Sequence, residues 1–183
     1  MENPKTKNEE LNRLSPEKFR DSEKVPIIVV LDNVRSLNNV GSVFRTADAF
    51  RIEAIHLCGH TGTPPNKEIS KTALGATDTV EWKYFSSTKD SVSWLRENNY
   101  IICSVEQTKN SMMLNQFSLG INEKIALVFG NEVYGVEQEI INLSDCYIEI
   151  PQLGHKHSLN ISVSAGIVLW ELSKKFLGSM KNQ

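Results

Sequence analysis

The sequence predicts an α/β fold, a mostly parallel sheet flanked by helices. Three observations predict it. Short apolar runs rich in β-branched residues recur along the chain. Segments with helical spacing lie between them. Loops rich in glycine, asparagine or serine follow the runs. A strand buried on both faces reads as a continuous apolar run, the mark of a parallel sheet. Such runs alternating with helices build strand–helix–strand units.

Residues 1–24 are rich in Lys, Glu and Asn and poor in apolar residues, which predicts a loosely ordered polar leader. At most it holds a short helix from Ser15, with Pro16 in the favoured first turn. A single domain is expected over 25–180. PIIVVLD (26–32) is the first strand. EAIHLCG (53–59), VEWKYF (80–85), YIICSVE (100–106), KIALVFG (124–130) and CYIEIP (146–151) are the others. VGSVFRTADAF (40–50) sets Val40, Val43, Phe44 and Ala47 on one helical face. The helix over 87–99 opens with Ser87 and Asp90 at capping-box spacing. A short helix covers 136–144. A long one covers 162–178, with Gly178 as its C-cap.

The chain has 183 residues, 40% hydrophobic and 23% charged, which suits one globular domain. No apolar stretch approaches the roughly 20 residues that span a bilayer. The polar start MENPKTKNEE is not a secretory signal. Cys58, Cys103 and Cys146 lie in or beside apolar runs without CxxC spacing. They read as buried, reduced thiols of a cytoplasmic protein. The formal net charge of −2 argues mildly against a nucleic-acid binder, although binding follows the local field and not the total.

Ligands of parallel α/β sheets bind in loops at the carboxyl ends of strands. That directs attention to LDNVRSLNNVG, SVEQTKN, FGNEVYG and IPQLGHKHSLN. No GxGxxG follows the first strand and no P-loop occurs. No cluster has zinc spacing, and HKH at 155–157 reads as a basic loop, so no metal site is expected. Ser158 lacks the GxSxG context of a hydrolase. The remaining candidates are polar. Asn39 and Arg45 stand six apart across a loop-to-helix junction, with Gly41 permitting close backbone approach. Read alone, Arg45 is equally a solvated surface residue. Gly130 could bring backbone close to a flat ligand, with Glu132 beside it, or form a plain turn. Ser158 and Asn160 precede an apolar helix and could simply cap it.

Taken together, NNVGSVFRTADAF (38–50), IALVFGNEVYGV (125–136) and IEIPQLGHKHSLNISVSAGIVLWEL (148–172) resemble the three motifs of the SpoU (TrmH-like) RNA ribose methyltransferases, in the SPOUT superfamily. The resemblance runs from about residue 26 to 178, and KTALGAT (71–77) also looks like a family segment. It implies a C-terminal trefoil knot and S-adenosyl-L-methionine as cofactor. Val105, Gly130, Ile150 and Leu159 match the adenosine contacts. Arg45, Asn39, Glu132, Ser158 and Asn160 match the catalytic positions. It implies a homodimer whose RNA site is shared between subunits, with the C-terminal helix at the interface. Arg35, Arg51, Lys67, Lys71 and Lys156, in or near strand-end loops, are expected to contact RNA phosphates, of tRNA or rRNA. Gln152 departs from the family, where Met is frequent. Glu106 and Gln107 lie where members vary. Family analogy makes Arg45 the general base. Its guanidinium, with a pKa above ~12, suits phosphate binding and alkoxide stabilisation at least as well. Rival readings are a non-catalytic RNA-binding protein, a base-nitrogen methyltransferase and a small-molecule-binding protein.

Overall fold

A continuous run of β-branched residues is stable only if both of its faces are covered, and VPIIVVLD is covered on both. The computed structural model describes residues 3–11, 13–120 and 122–180. Among these, seven strands form one all-parallel sheet. They are β1 (Val25–Asp32), β2 (Ile52–Cys58), β3 (Glu81–Phe85), β4 (Tyr100–Val105), β5 (Met112–Met113), β6 (Lys124–Phe129) and β7 (Cys146–Glu149). Their order is β3-β2-β1-β6-β4-β7-β5. The six longer strands match the six runs read from the sequence.

Side chains alternate across the sheet. Ile27, Val29 and Leu31 point to one layer, built by α2 (Leu37–Ala49), α3 (Lys67–Ala73) and α6 (Ile161–Met180). Ile28 and Val30 point to the other, built by α4 (Thr88–Glu97) and α5 (Gln138–Leu143). Each such side chain contributes roughly 1.5–3 kcal/mol by leaving water. On α6, Ala165, Val168, Leu169 and Leu172 have the i, i+3, i+4, i+7 spacing of one face, and all four are buried.

The leader carries one short helix, α1 (Pro16–Asp21). The Ser15 hydroxyl accepts the Lys18 N–H at 3.3 Å, and Phe19 is buried under the Lys24 ammonium. Met1, Glu2 and Asn12 of the leader lie outside the described residues. Two boundaries and two elements differ from expectation. Helix α2 begins at Leu37, because the Ser36 side chain accepts the Asn39 N–H and starts the helix three residues before Val40. Helix α6 runs through Gly178 to Met180. Helix α3 and strand β5 were not expected as elements. No helix among the described residues is long and apolar enough to cross a membrane.

Candidate functional site

The carboxyl ends of β4, β6 and β7, neighbours in the sheet, open into one cavity of about 550 Å³. That volume suits a small organic ligand. Three loops wall it: 106–110 after β4, 130–137 after β6 and 150–160 after β7. Val105, Phe129, Ile148, Ile150 and Leu159 supply apolar surface. Glu106, Gln107, Asn131, Glu132, Ser158 and Asn160 supply polar groups. All four residues expected to hold adenosine, Val105, Gly130, Ile150 and Leu159, line this cavity. Gln152 lines it too.

Glu132, in the second of the three motif segments, bonds the first, at the start of α2. Its Oε2 accepts the Arg35 N–H at 3.2 Å. Its Oε1 accepts the Ser36 N–H at 3.1 Å and the Asn39 side-chain amide at 3.1 Å. Partial burial pushes the Glu132 carboxyl up. Hydrogen bonds from its own backbone, from Arg35 and Ser36 and from Asn39 outweigh that, so the net shift is downward. Glu132 is therefore an ionised anchor. Asn160 adds the third region, donating from Nδ2 to Asn39 Oδ1 at 3.2 Å. Its Oδ1 accepts the Ser162 N–H at 2.9 Å and the Ser162 hydroxyl at 2.7 Å, which caps α6. Asn160 thus caps α6 and bonds Asn39 at once.

Arg45 stands apart. Both Asn39 and Arg45 lie on α2, and six residues at 3.6 per turn separate them by about 120° around the axis. Arg45 is exposed, does not line the cavity and does not touch Glu132. Glu132 is joined to Asn39 instead. Arg35 is exposed above its own bonded backbone. Lys67 and Lys71 are exposed on α3, and Lys71 lies 3.9 Å from Glu68. Lys156 is exposed on loop 150–160. Arg51 corrects the expectation. It immediately precedes β2, at the amino edge of the parallel sheet, opposite the strand-end loops. Its guanidinium is partly buried there, near Lys24.

Gly130 lines the cavity and also makes a tight turn. A Cβ there would fall 1.9 Å from the Gly135 carbonyl carbon and 2.0 Å from the Val136 nitrogen. The close approach is to its own loop. That loop is organised by Asn131, which sequence reading passed over. The Asn131 side chain donates to the Asn33 carbonyl at 2.8 Å and accepts from Val133 N–H at 2.9 Å. An asparagine bonding the backbone two residues on is an Asx turn, a signal already present in GNEVYG.

Two further residues tie the three loops together. Glu106 Oε2 accepts the Val136 N–H at 3.0 Å, and its Oε1 accepts the Gln107 N–H at 2.9 Å. Gln107 donates from its side chain to the His157 carbonyl at 3.0 Å. Their type is unremarkable in a sequence, and only the fold brings loops 30 and 50 residues away to them.

An all-parallel α/β domain whose strand-end loops close on a cavity of this kind belongs to the cofactor-binding class of such folds. Comparison with known proteins is narrower. Residues 26–170 match the model of the SpoU rRNA Methylase family, and the chain belongs to that family. It is 27% identical over 153 residues to a TrmH family protein of Staphylococcus saprophyticus, covering 84% of this chain and 60% of that one. The AdoMet-bound rRNA methyltransferase from Sinorhizobium meliloti superposes with a TM-score of 0.77 at 28% identity, covering 90% of this chain and 62% of that one. The TrmH/SpoU tRNA modifying enzyme of A. aeolicus, at 24% identity, shares the fold with a TM-score of 0.78, over 90% of this chain and 83% of that one. The chain spans about 60% of the length of the first curated relatives it matches.

Proposed function

We propose that the chain is an S-adenosyl-L-methionine-dependent RNA methyltransferase acting on a ribose 2′-hydroxyl of tRNA or rRNA. The observation that carries this is the bonded line Glu132–Asn39–Asn160. It unites the three motif regions at the rim of a cavity lined by all four residues matched to adenosine contacts. The cavity fits such a cofactor in volume and in its mixture of aliphatic walls and polar loop groups. The cofactor supplies an electrophilic methyl on a sulfonium. The relative from S. meliloti, described as AdoMet bound, supports the assignment.

The protein's own groups bind and orient. Asn39 and Asn160 hold the rim in one geometry, and fixed geometry supplies much of the rate in a displacement of this kind. Glu132, ionised and already accepting three N–H groups, acts as an anchor and not as the base. Ser158, exposed on the cavity wall, contacts the substrate sugar. Arg45 binds the phosphate next to the target and stabilises the oxyanion developing at the ribose 2′-oxygen. Arg35, Lys67, Lys71 and Lys156 offer further exposed cations to the RNA backbone.

The functional unit in this reading is a cytoplasmic homodimer of the 25–180 domain, with its C-terminal part threaded as a trefoil knot and the RNA site shared between subunits. Val163, Ile167 and Trp170, exposed along one side of α6, support that helix as the dimer face. A shared site also accounts for Arg45 lying outside its own cavity, because it would complete the partner's.

The test is transfer of labelled methyl from S-adenosyl-L-methionine to tRNA and to rRNA from cells lacking this protein, followed by nucleoside mass spectrometry. The expected product is a 2′-O-methyl nucleoside in one RNA class, reduced at least about 100-fold by Arg45→Ala. Methyl on a base nitrogen overturns the ribose assignment. Full activity of a folded Arg45→Ala protein overturns the role of that residue.

A further inference from the structure

Among the residues lining the cavity are three carboxylates, Glu106, Glu132 and Glu149, and neither a lysine nor an arginine. His157 is the only other ionisable side chain there apart from the Tyr134 phenol. The carboxylates are not equivalent. Glu132 is committed at the rim to three N–H donors. Glu106 accepts two N–H groups, from Val136 and Gln107, and a carboxylate has about four acceptor positions.

The position of Glu106 is fixed from both sides. Its own N–H donates to the Ile148 carbonyl at 3.0 Å, extending the β4–β7 ladder into the cavity floor. Across the loop, Gly135 has φ +69°, and a Cβ on it would meet Glu106 Oε2 at 2.1 Å. A carboxylate held this firmly in a cleft of lowered dielectric exerts a directed field on whatever occupies the cleft.

We propose that Glu106 is a specificity-determining residue of the cofactor cavity: its fixed carboxylate favours the cationic sulfonium cofactor over the neutral thioether that methyl transfer leaves. This rests on the methyl-transfer reading above. In that transfer the methyl bonds to the ribose oxygen, the C–S pair stays on sulfur, and the hydroxyl proton passes to solvent. The amino-acid ends of cofactor and product carry the same charges, so the two differ by the one positive charge on sulfur. A negative cavity therefore binds the cofactor more tightly and releases the product once that charge is gone.

The experiment is calorimetric binding of S-adenosylmethionine and S-adenosylhomocysteine to the full chain, comparing wild type, Glu106→Gln and Glu139→Gln. Glu139 pairs with Lys89 on the surface and lies outside this cavity, so it serves as the control. The selectivity, defined as homocysteine-form Kd over methionine-form Kd, should fall at least about fivefold in Glu106→Gln. It should stay within about twofold in Glu139→Gln. An unchanged selectivity in Glu106→Gln overturns the proposal, whether both affinities fall together, as for a purely structural latch, or neither does. If Glu106→Gln does not fold, salt titration of the wild type decides. Raising salt severalfold should weaken the sulfonium form more than the thioether, and equal weakening overturns the proposal. A wild type that binds neither compound overturns the methyl-transfer reading itself, and the proposal with it.

Discussion

Glu132 shows what one side chain does where two segments of the chain meet. Its two oxygens accept from two backbone amides at the start of α2 and from Asn39. Glu132→Gln leaves one acceptor oxygen and turns an amide group toward donors. The expected cost is about 1–3 kcal/mol of stability, read from denaturant melts. Methyl transfer should fall on the order of 100-fold, because small misplacements at a reacting centre carry penalties of that size. A variant that melts lower but turns over normally would reduce Glu132 to a structural tie. Asn39, Glu132, Ser158 and Asn160 were legible as candidates because polar side chains flank glycines in strand-end loops and match the motifs of the SpoU family. Asn131 was not, and Glu106 and Gln107 stood out only as variable positions, because their partners lie in other loops and no local spacing announces them. Arg45 was legible as a candidate. Its orientation was not, because that depended on α2 starting at Leu37 and carrying Asn39 within the same helix.

Elements show the same division between local and tertiary signals. Strand β1 was legible because burial on both faces writes itself as an unbroken apolar run. Helix α3 was not, because KEISKTA buries only Ile69 and Ala73, too few positions to set a period. Strand β5 is two exposed methionines paired to the end of β7. Gly41 is where two of these elements meet. Sequence reading gave it a close backbone approach. The structure shows that the approach is between α2 and α3. A Cβ on Gly41 would lie 2.1 Å from Thr72 Oγ1 and 2.3 Å from the Ile69 carbonyl oxygen. The hydroxyl can rotate away, but the carbonyl belongs to the backbone of α3, so the helices must separate. Gly41→Ala should therefore destabilise the fold by roughly 1–3 kcal/mol, despite the better helix propensity of alanine. Stabilisation in a denaturant titration would show that α3 yields without cost.

At the scale of the molecule, the sheet divides two layers, and the layer remote from α2 and α6 contains a buried base. His56 on β2 is 1% exposed, lies 4.6 Å from the Phe85 ring and 5.3 Å from Trp94, and bonds Ser91 Oγ through Nδ1 at 2.7 Å. Its Nε2 is buried without a partner among the described residues. Burial, and then the nearby Lys83 ammonium, lower its pKa to about 4. Above the ordinary value near 6.5 the imidazole is neutral in both folded and unfolded chains, and stability is undiminished. Between 6.5 and 4 the unfolded chain takes up a proton that the folded one refuses, so stability falls as pH falls. Below 4 both are protonated and the loss stops growing. At about 1.4 kcal/mol per unit the full loss is on the order of 3 kcal/mol. Carboxylates such as Asp90, held low by Ser87 and Ser86, add their own acid sensitivity, so the comparison must be between proteins. His56→Asn keeps a polar atom near Ser91 and removes the titrating ring. It should be less stable than the wild type at pH 7.5, and the gap should narrow by about 2 kcal/mol or more at pH 4.5. Parallel stability curves for the two proteins would mean that the folded chain admits the proton, by opening the α4 layer or by water reaching Nε2.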